Sequence, residues 1–283
     1  MSTTAPDLPA DLVAGLRRLK LASMRRLAPE LLVTAKTQRW SPEDFLRTLV
    51  EAEIASRDES NAAARLKAAK FPVRKTLEEF DVAASSIERA TFDYLSSLEW
   101  ITAKENPLFV GPAGTGKSHC LVALGHAAIE AGMRVRYFTA EELVETLYRG
   151  LADNSVGRVI DQTLRADVVL VDEVGFAPLD DAGAQLLFRF VAAAYERVPL
   201  GIASHWPFDE WGRFLPERTA HHRFPRYSAQ PRSSRTPGPP TEPGRQYLDV
   251  SVAPVQQKMH LIFRLAVRPL SGRPQAPLCL KPT

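Results

Sequence analysis

The sequence predicts an α/β fold, in which a parallel sheet with crossover helices follows a small helical N-terminal domain. Two observations lead to this prediction. From Pro107 onward, short apolar runs alternate with longer helical patterns, an order typical of parallel strands joined by helices. Before residue 70, leucines recur at spacings of three and four, the period of an amphipathic helix. We therefore expect a helical domain at 1–70, a connector and lead-in helix at 71–100, and the α/β core at 101–217.

The N-terminal domain is expected to be a helical pair. Residues 8–33 predict an amphipathic basic helix, which a break near Pro29 would divide into two. A second helix is predicted to run from Ser41 to about residue 70. Ser41 is a typical N-cap and Pro42 fits the first helical position, so this start is well marked.

The core is predicted to contain four strands and the helices between them. The strands are expected at 108–110, 134–138, 168–171 and 200–204. A proline and the loss of helical period predict a connector at 71–81, and residues 91–101 are expected to form one helix that leads into the first strand.

Composition limits the cellular setting and the chemistry. Of 283 residues, 45% are apolar, which is enough for a sizeable core. The two cysteines, Cys120 and Cys279, lack the spacing of a disulfide framework or a zinc site. No apolar run is long enough to span a membrane, and the N-terminal residues do not resemble a signal peptide. We therefore expect a cytoplasmic protein with no membrane partner.

The last 66 residues, 218–283, differ in kind from the rest. They hold 11 of the 22 prolines and carry a formal charge of +9, whereas residues 1–217 carry −6. After about Pro216 the strand and helix signals fade into a tract rich in Pro, Arg and Ser. This tail is expected to be disordered or translated out of frame.

The segment GPAGTGKS, residues 111–118, matches the phosphate-binding loop G-x-x-x-x-G-K-[ST] at every defined position. Its glycines allow successive backbone N–H groups to surround a polyphosphate, and a helix dipole adds positive potential. Lys117 would bind the β- and γ-phosphates, and the Ser118 hydroxyl would bind Mg²⁺. We assign to ATP the residues Gly111, Pro112, Ala113, Gly114, Thr115, Gly116, Lys117, Ser118 and His119.

Polar residues follow two of the predicted strands. Asp172 and Glu173 come directly after the apolar run 168–171, where Asp172 would hold Mg²⁺ and Glu173 would polarise an attacking water. Ser204 and His205 follow the next strand, and either could hydrogen-bond the γ-phosphate or the water. His205 could equally cap the strand end. We assign Lys117, Glu173 and His205 to catalysis and Ser118 and Asp172 to the metal.

The aromatic residues after this strand have two readings. Trp206, Phe208 and Trp211 are expected to pack into the core rather than to stack on bases, because aromatic rings interact first through buried area.

Several linked segments resemble the IstB-like ATP-binding proteins, the ATPase helpers of bacterial insertion sequences, which are relatives of the DnaC helicase loader in the AAA+ class. The resemblance covers residues from about 8 to 216. It rests on LKLASMRRLAPELL, KTLEEFD, GPAGTGKS, RYFTAEELVETL, VDEVGFAPLDDAGAQLLFRFVAAAYER and SHWPFDEWG.

The resemblance implies an AAA+ fold and a function in transposition. Members of this family bind DNA with little sequence preference, form homo-oligomers with ATP, and deliver target DNA to a transposase. The residues here that match the family's nucleotide site are Gly111, Gly114, Gly116, Lys117, Ser118, Asp172 and Glu173. Where the family commonly has Asn, this chain has His205.

The sequence departs from the family after Pro216. The resemblance implies a helix with a DR pair and a short final strand, and the arginine would reach the ATP of a neighbouring subunit. Arg218, Arg223 and Arg226 are present, but none lies in that helical pattern. Our hypothesis is that the reading frame shifts near residue 218. Translating the three forward frames of the gene tests it, because the absence of a DR helix from the other frames would contradict the shift.

Three other functions remain open on the sequence. A P-loop kinase for a small metabolite would need an arginine-bearing lid, which no compact segment after Asp172 offers. A DnaC-like helicase loader is hardly distinguishable from a transposition helper. A decayed, non-catalytic DNA-binding remnant would contact phosphates through its basic helix and tail. The basic side chains of that helix, which a solvated surface explains equally well, are Arg17, Arg18, Lys20, Arg25 and Arg26.

Overall fold

The computed structural model of the chain describes residues 7–207, 210–211, 214–215 and 248–253. The chain divides between Ala68 and Ala69 into two compact units. The predicted domain limits stay predictions. In the part of the chain that the structure describes, no helix is long and apolar enough to cross a bilayer.

The first unit consists of three helices, α1 (Ala10–Arg18), α2 (Ala22–Gln38) and α3 (Pro42–Ala69). The predicted break near Pro29 is wrong, because Pro29 lies inside α2. The break lies instead at Lys20, whose φ of 58° is left-handed and ends α1. Proline removes one helical hydrogen bond and crowds the carbonyl one turn earlier, yet α2 continues through Pro29.

Helix α2 is held to α3 by a carboxylate. Glu53 of α3 is buried, and its Oε2 accepts hydrogen bonds from the backbone N–H groups of Ser23 at 2.9 Å and Met24 at 3.1 Å. These N–H groups lie in the first turn of α2, which has no cap of its own. The Met24 N–H in particular lowers the pKa of Glu53, and Arg57 pairs with the same carboxylate at 3.0 Å. At the start of α3, Ser41 Oγ accepts the Asp44 N–H at 3.1 Å, as expected of an N-cap.

The second unit contains a five-stranded sheet in the order β2-β3-β4-β1-β5. The first four strands are parallel, which confirms the predicted fold class. The strands are β1 (Asn106–Val110), β2 (Val135–Thr139), β3 (Val168–Val174), β4 (Leu200–Ser204) and β5 (Asp249–Ala253). The helices are α4 (Arg89–Ser96), α5 (Glu99–Thr102), α6 (Lys117–Glu130), α7 (Ala140–Ala152), α8 (Val156–Thr163) and α9 (Asp181–Ala194).

Two apolar clusters cover the two faces of the sheet. Side chains alternate along β3, so that Val168 and Leu170 belong to one cluster and Val169 and Val171 to the other. Cys120 is buried in the first cluster, and burial raises the pKa of its thiol to about 12, so it is an unreactive core residue. Cys279 lies outside the described residues.

The lead-in segment differs from the single helix predicted at 91–101. It forms the two short helices α4 and α5, because Leu98 between them has a left-handed φ of 61°. The side chains of Leu98 and Trp100 are both buried in the first cluster.

The expectation that strand structure ends after Pro216 is wrong at one place. The strand β5 lies in the predicted tail and pairs antiparallel with β1, from Asn106 opposite Ala253 to Val110 opposite Asp249. Just before β5, the Leu248 N–H donates to Ser86 Oγ at 2.7 Å. The other tail residues, which include Arg218, Arg223 and Arg226, lie outside the described residues.

Candidate nucleotide-binding site

The glycine-rich segment forms a loop between β1 and α6. Gly114 and Gly116 have φ values of 84° and 92°, a left-handed conformation that favours glycine. The loop begins where the Gly111 N–H donates to Ser204 O at 3.3 Å. Gly116 is the N-cap of α6 and makes no side-chain cap, so the first N–H groups of this helix are available to an anion.

Lys117 lies folded over this loop. Its Nζ donates to Pro112 O at 2.7 Å, and Thr115 Oγ1 donates to the same carbonyl at 2.9 Å. Desolvation lowers the pKa of Lys117, while the negative charge of Asp172 raises it. Ser118 follows with an exposed side chain.

The connector packs against the loop, a contact that the sequence analysis missed. The ring of Phe80 lies beside Gly116 and, at a centroid distance of 5.4 Å, beside the His119 ring. A ring nitrogen of His119, Nε2, lies 3.2 Å from Thr76 O. His119, which we assigned to the nucleotide, thus contacts the connector. The KTLEEFD segment, residues 75–81, therefore supports the phosphate loop through the contacts of Thr76 and Phe80.

We expect Gly116→Ala to weaken both folding and nucleotide binding. An added Cβ would lie 2.9 Å from Phe80 Cε2, and φ of 92° is strained for alanine by about 1–2 kcal/mol. Urea unfolding and titration with a fluorescent ATP analogue measure the two effects. Gly15→Ala is the matched control, because Gly15 lies in α1 with no atom within 4 Å of the added Cβ. Equal unfolding midpoints for the two variants would contradict the predicted role of Phe80.

Asp172 is a buried acid with fixed geometry. Its side chain is 2% exposed, and its Oδ2 accepts the Tyr137 hydroxyl at 2.8 Å. Its Oδ1 accepts the Glu173 N–H at 2.8 Å. Burial and the neighbouring carboxylate raise the pKa of Tyr137, which keeps that hydroxyl a donor. A carboxylate held in this way and the Ser118 hydroxyl are oxygen ligands of the kind that Mg²⁺ prefers, so the residues fit the ion.

Glu173 follows at an irregularity of β3. Val171 pairs with Ile202 and Val174 with Ser204, so two residues of β3 lie opposite one residue of β4. This bulge gives Glu173 a left-handed φ of 58° and an exposed side chain. Partial desolvation, Asp172 and Glu141 raise the pKa of Glu173, and Glu142 adds to the effect. A carboxylate with a raised pKa is a better general base than an ordinary one.

The two polar residues at the end of β4 have different environments, because Ser204 is buried and His205 is exposed. Ser204 is fully buried, and its Oγ lies 3.0 Å from Val174 O and accepts the Trp206 N–H at 3.2 Å. Its hydrogen-bonding groups are used to shape the strand end. His205 is exposed, and its ring packs edge-on against Trp206 at a centroid distance of 4.9 Å.

The aromatic residues after β4 pack as expected. Trp206 and Trp211 are partly buried against the second apolar cluster. The Trp206 Nε1–H donates to Gly175 O at 3.2 Å, and the Trp211 Nε1–H donates to Trp206 O at 3.1 Å. Phe208 lies outside the described residues.

A phosphate loop between β1 and a helix, with a buried acid near the end of β3, defines the class of P-loop nucleotide-binding proteins. The family model for the IstB-like ATP binding protein matches residues 14–221. The chain therefore belongs to the IstB-like ATP-binding family, as the sequence motifs indicated.

Relatives in this family come from insertion sequences and are named as putative ATP-binding proteins. That of insertion sequence IS5376 from Geobacillus stearothermophilus is 33% identical over 199 residues, which cover 70% of this chain and 79% of the relative. That of insertion sequence IS21 from Pseudomonas aeruginosa is 32% identical over 206 residues, which cover 72% and 78%.

Solved structures give weaker likenesses. The DnaC helicase loader aligns with a TM-score of 0.38 and 16% identity over 51% of this chain and 81% of that one. AMPPCP-bound DnaA from Aquifex aeolicus aligns with a TM-score of 0.42 and 23% identity over 52% and 50%.

Proposed function

We propose that this protein is the ATP-binding helper of an insertion-sequence transposase. In this function it binds DNA with little sequence preference, assembles into a homo-oligomer with ATP and Mg²⁺, and delivers target DNA to the transposase or stimulates it. The observation that supports this most is the phosphate loop between β1 and α6, with the buried Asp172 near the end of β3 in the same sheet. The insertion-sequence origin of its relatives supports the transposition context.

The proposed division of labour follows from the site. The loop N–H groups and Lys117 bind the triphosphate, and Ser118 and Asp172 hold Mg²⁺, which supplies charge neutralisation at the phosphates. Glu173 orients and polarises the attacking water. His205 is exposed at the end of β4, from which it would contact the γ-phosphate or the water.

The helper function predicts that duplex DNA stimulates ATP hydrolysis. Turnover would be measured with and without DNA, together with oligomer size by sedimentation with and without ATP. Charge reversal at Arg25 and Arg26 should weaken salt-dependent DNA binding, whereas the same change at Arg158 and Arg165 of the second unit serves as a control. Turnover that DNA does not change, with no DNA binding at low salt, would contradict the helper function.

The rate of ATP hydrolysis by this chain depends on whether residues 218–283 are translated out of frame. If the DR helix is lost to a change of frame, no arginine reaches the neighbouring ATP, and hydrolysis falls by about 10³–10⁵-fold while binding remains. This outcome corresponds to the decayed remnant, in which nucleotide binding survives without robust turnover.

A helicase loader is the second candidate, since such loaders and transposition helpers resemble each other in sequence. Affinity purification of the tagged protein from cells that contain both partners separates the two. Recovery of the transposase supports the helper function, and recovery of the replicative helicase supports the loader.

A further inference from the structure

A groove of about 280 Å³ lies beside Glu173, between α7, the segment that follows β3, and α9. Its volume is slightly below the roughly 300–1,000 Å³ of small-molecule sites, so it suits a few anchoring side chains. The ring of Phe176 at this groove is 83% exposed. The apolar part of the lining includes Val144, Tyr148, Leu179, Leu187 and Phe214.

The rim of this groove is acidic. It carries the carboxylates of Glu141, Glu145 and Glu173, of which only Glu145 has an ion pair to a nearby cation, Arg149 at 2.6 Å, among the described residues. Nucleic-acid phosphates would be repelled by such a rim, whereas a protein segment with basic and apolar side chains would be attracted.

The same chain contains a segment of that chemistry. Helix α1 is amphipathic, yet none of its residues is buried among the described residues. Leu12 is 46% exposed and Leu19, directly after the helix, is 67% exposed. Arg17 and Arg18, which precede Leu19 in the chain, are also exposed. A helix of nine residues depends on packing for its stability, so a partner surface would add to the contact that α1 makes with α2.

We propose that α1 of one copy docks into this groove of a second copy. Leu12 and Leu19 would bury their side chains against the apolar lining, and Arg17 and Arg18 would pair with the carboxylates of Glu141 and Glu145, a helix-in-groove contact. The two surfaces differ, so the contact is heterologous and builds a ring or a chain of subunits rather than a symmetric dimer. This contact would explain how the subunits of the ATP-dependent oligomer are joined, and it therefore rests on the proposed function.

Cysteine cross-linking tests the contact in the full chain. In a Cys279→Ser background, a tagged Leu19→Cys chain is mixed with an untagged Phe176→Cys chain and oxidised. We expect a reducible heterodimer. Leu151→Cys replaces Phe176→Cys as a matched control, because Leu151 is exposed on α7 but does not line the groove. Reversing Arg17 and Arg18 to Glu should lower the yield about tenfold, and Glu141→Lys with Glu145→Lys in the other chain should restore it.

Two results would overturn the contact. One is a heterodimer yield equal to that of the Leu151→Cys control. The other is a cross-link that forms only inside a chain carrying both cysteines, which would mean that α1 occupies its own groove. Sedimentation of the same samples with ATP separates this failure from a failure of the proposed function. Oligomers that form with ATP but do not cross-link retain the function and exclude this contact.

Discussion

Lys117→Ala should strongly lower the affinity of the protein for a fluorescent ATP analogue. The Lys117 ammonium is partly desolvated and held at Pro112 O, 2.7 Å away, where it is ready to exchange that carbonyl for phosphate oxygens. A charge-assisted hydrogen bond contributes about 1.5–3 kcal/mol, so the affinity should fall at least tenfold to a hundredfold.

The matched control for this variant is Lys67→Ala, which removes the same charge from the exposed surface of α3. Its binding curve should coincide with that of the unchanged protein. Binding that survives Lys117→Ala at full affinity would remove the assignment of residues 111–118 to the phosphates, and with it the proposed function.

Glu173→Gln should leave nucleotide affinity nearly unchanged and lower the single-turnover rate of ATP hydrolysis by about 10²–10⁴-fold. The variant keeps the shape of the side chain and the bulge in β3 but removes the base. The measurement is a rapid-quench assay at saturating ATP and Mg²⁺. A rate within threefold of the unchanged protein would show that Glu173 does not activate the water.

The pH dependence of hydrolysis provides a second test of Glu173. Only the ionised carboxylate acts as a base, so the rate should rise with pH as Glu173 loses its proton. The midpoint should lie above the ordinary glutamate pKa of 4.5, because desolvation, Asp172 and Glu141 raise the pKa of Glu173. Glu141→Gln removes one of these charges and should move the midpoint to lower pH.

The strands of the core could be predicted because their signal is local. Apolar runs such as 168–171 are long enough to mark buried strands, and the glycine-rich loop has a defined spacing. Chain order then placed Asp172 and Glu173 at the end of their strand. The carboxyl ends of parallel strands meet at one sheet edge, which brings these acids near the loop.

The contacts that support the site could not be predicted because they depend on tertiary packing. Phe80 reaches Gly116 across 36 positions of the chain, and Tyr137 reaches Asp172 from the neighbouring strand. The one sequence signal for Tyr137 is a residue with a polar tip in an apolar strand, which usually means a buried hydrogen-bond partner. The helix break at Lys20 could not be predicted, because a lysine in the sequence does not indicate a left-handed backbone. Proline is the stronger sequence signal for a break, and it pointed to Pro29.

The strand β5 has a consequence for handling the protein. It covers the outer side of β1, the strand that continues directly into residues 111–118, and Val250 and Val252 pack against the core from there. A chain shortened before residue 248 would leave the N–H and C=O groups on one side of β1 unpaired. Strands of other molecules can pair with such an edge, which leads to aggregation. A segment that does not resemble the family can form this strand. Pairing with β1 requires only backbone hydrogen bonds and apolar side chains at alternate positions.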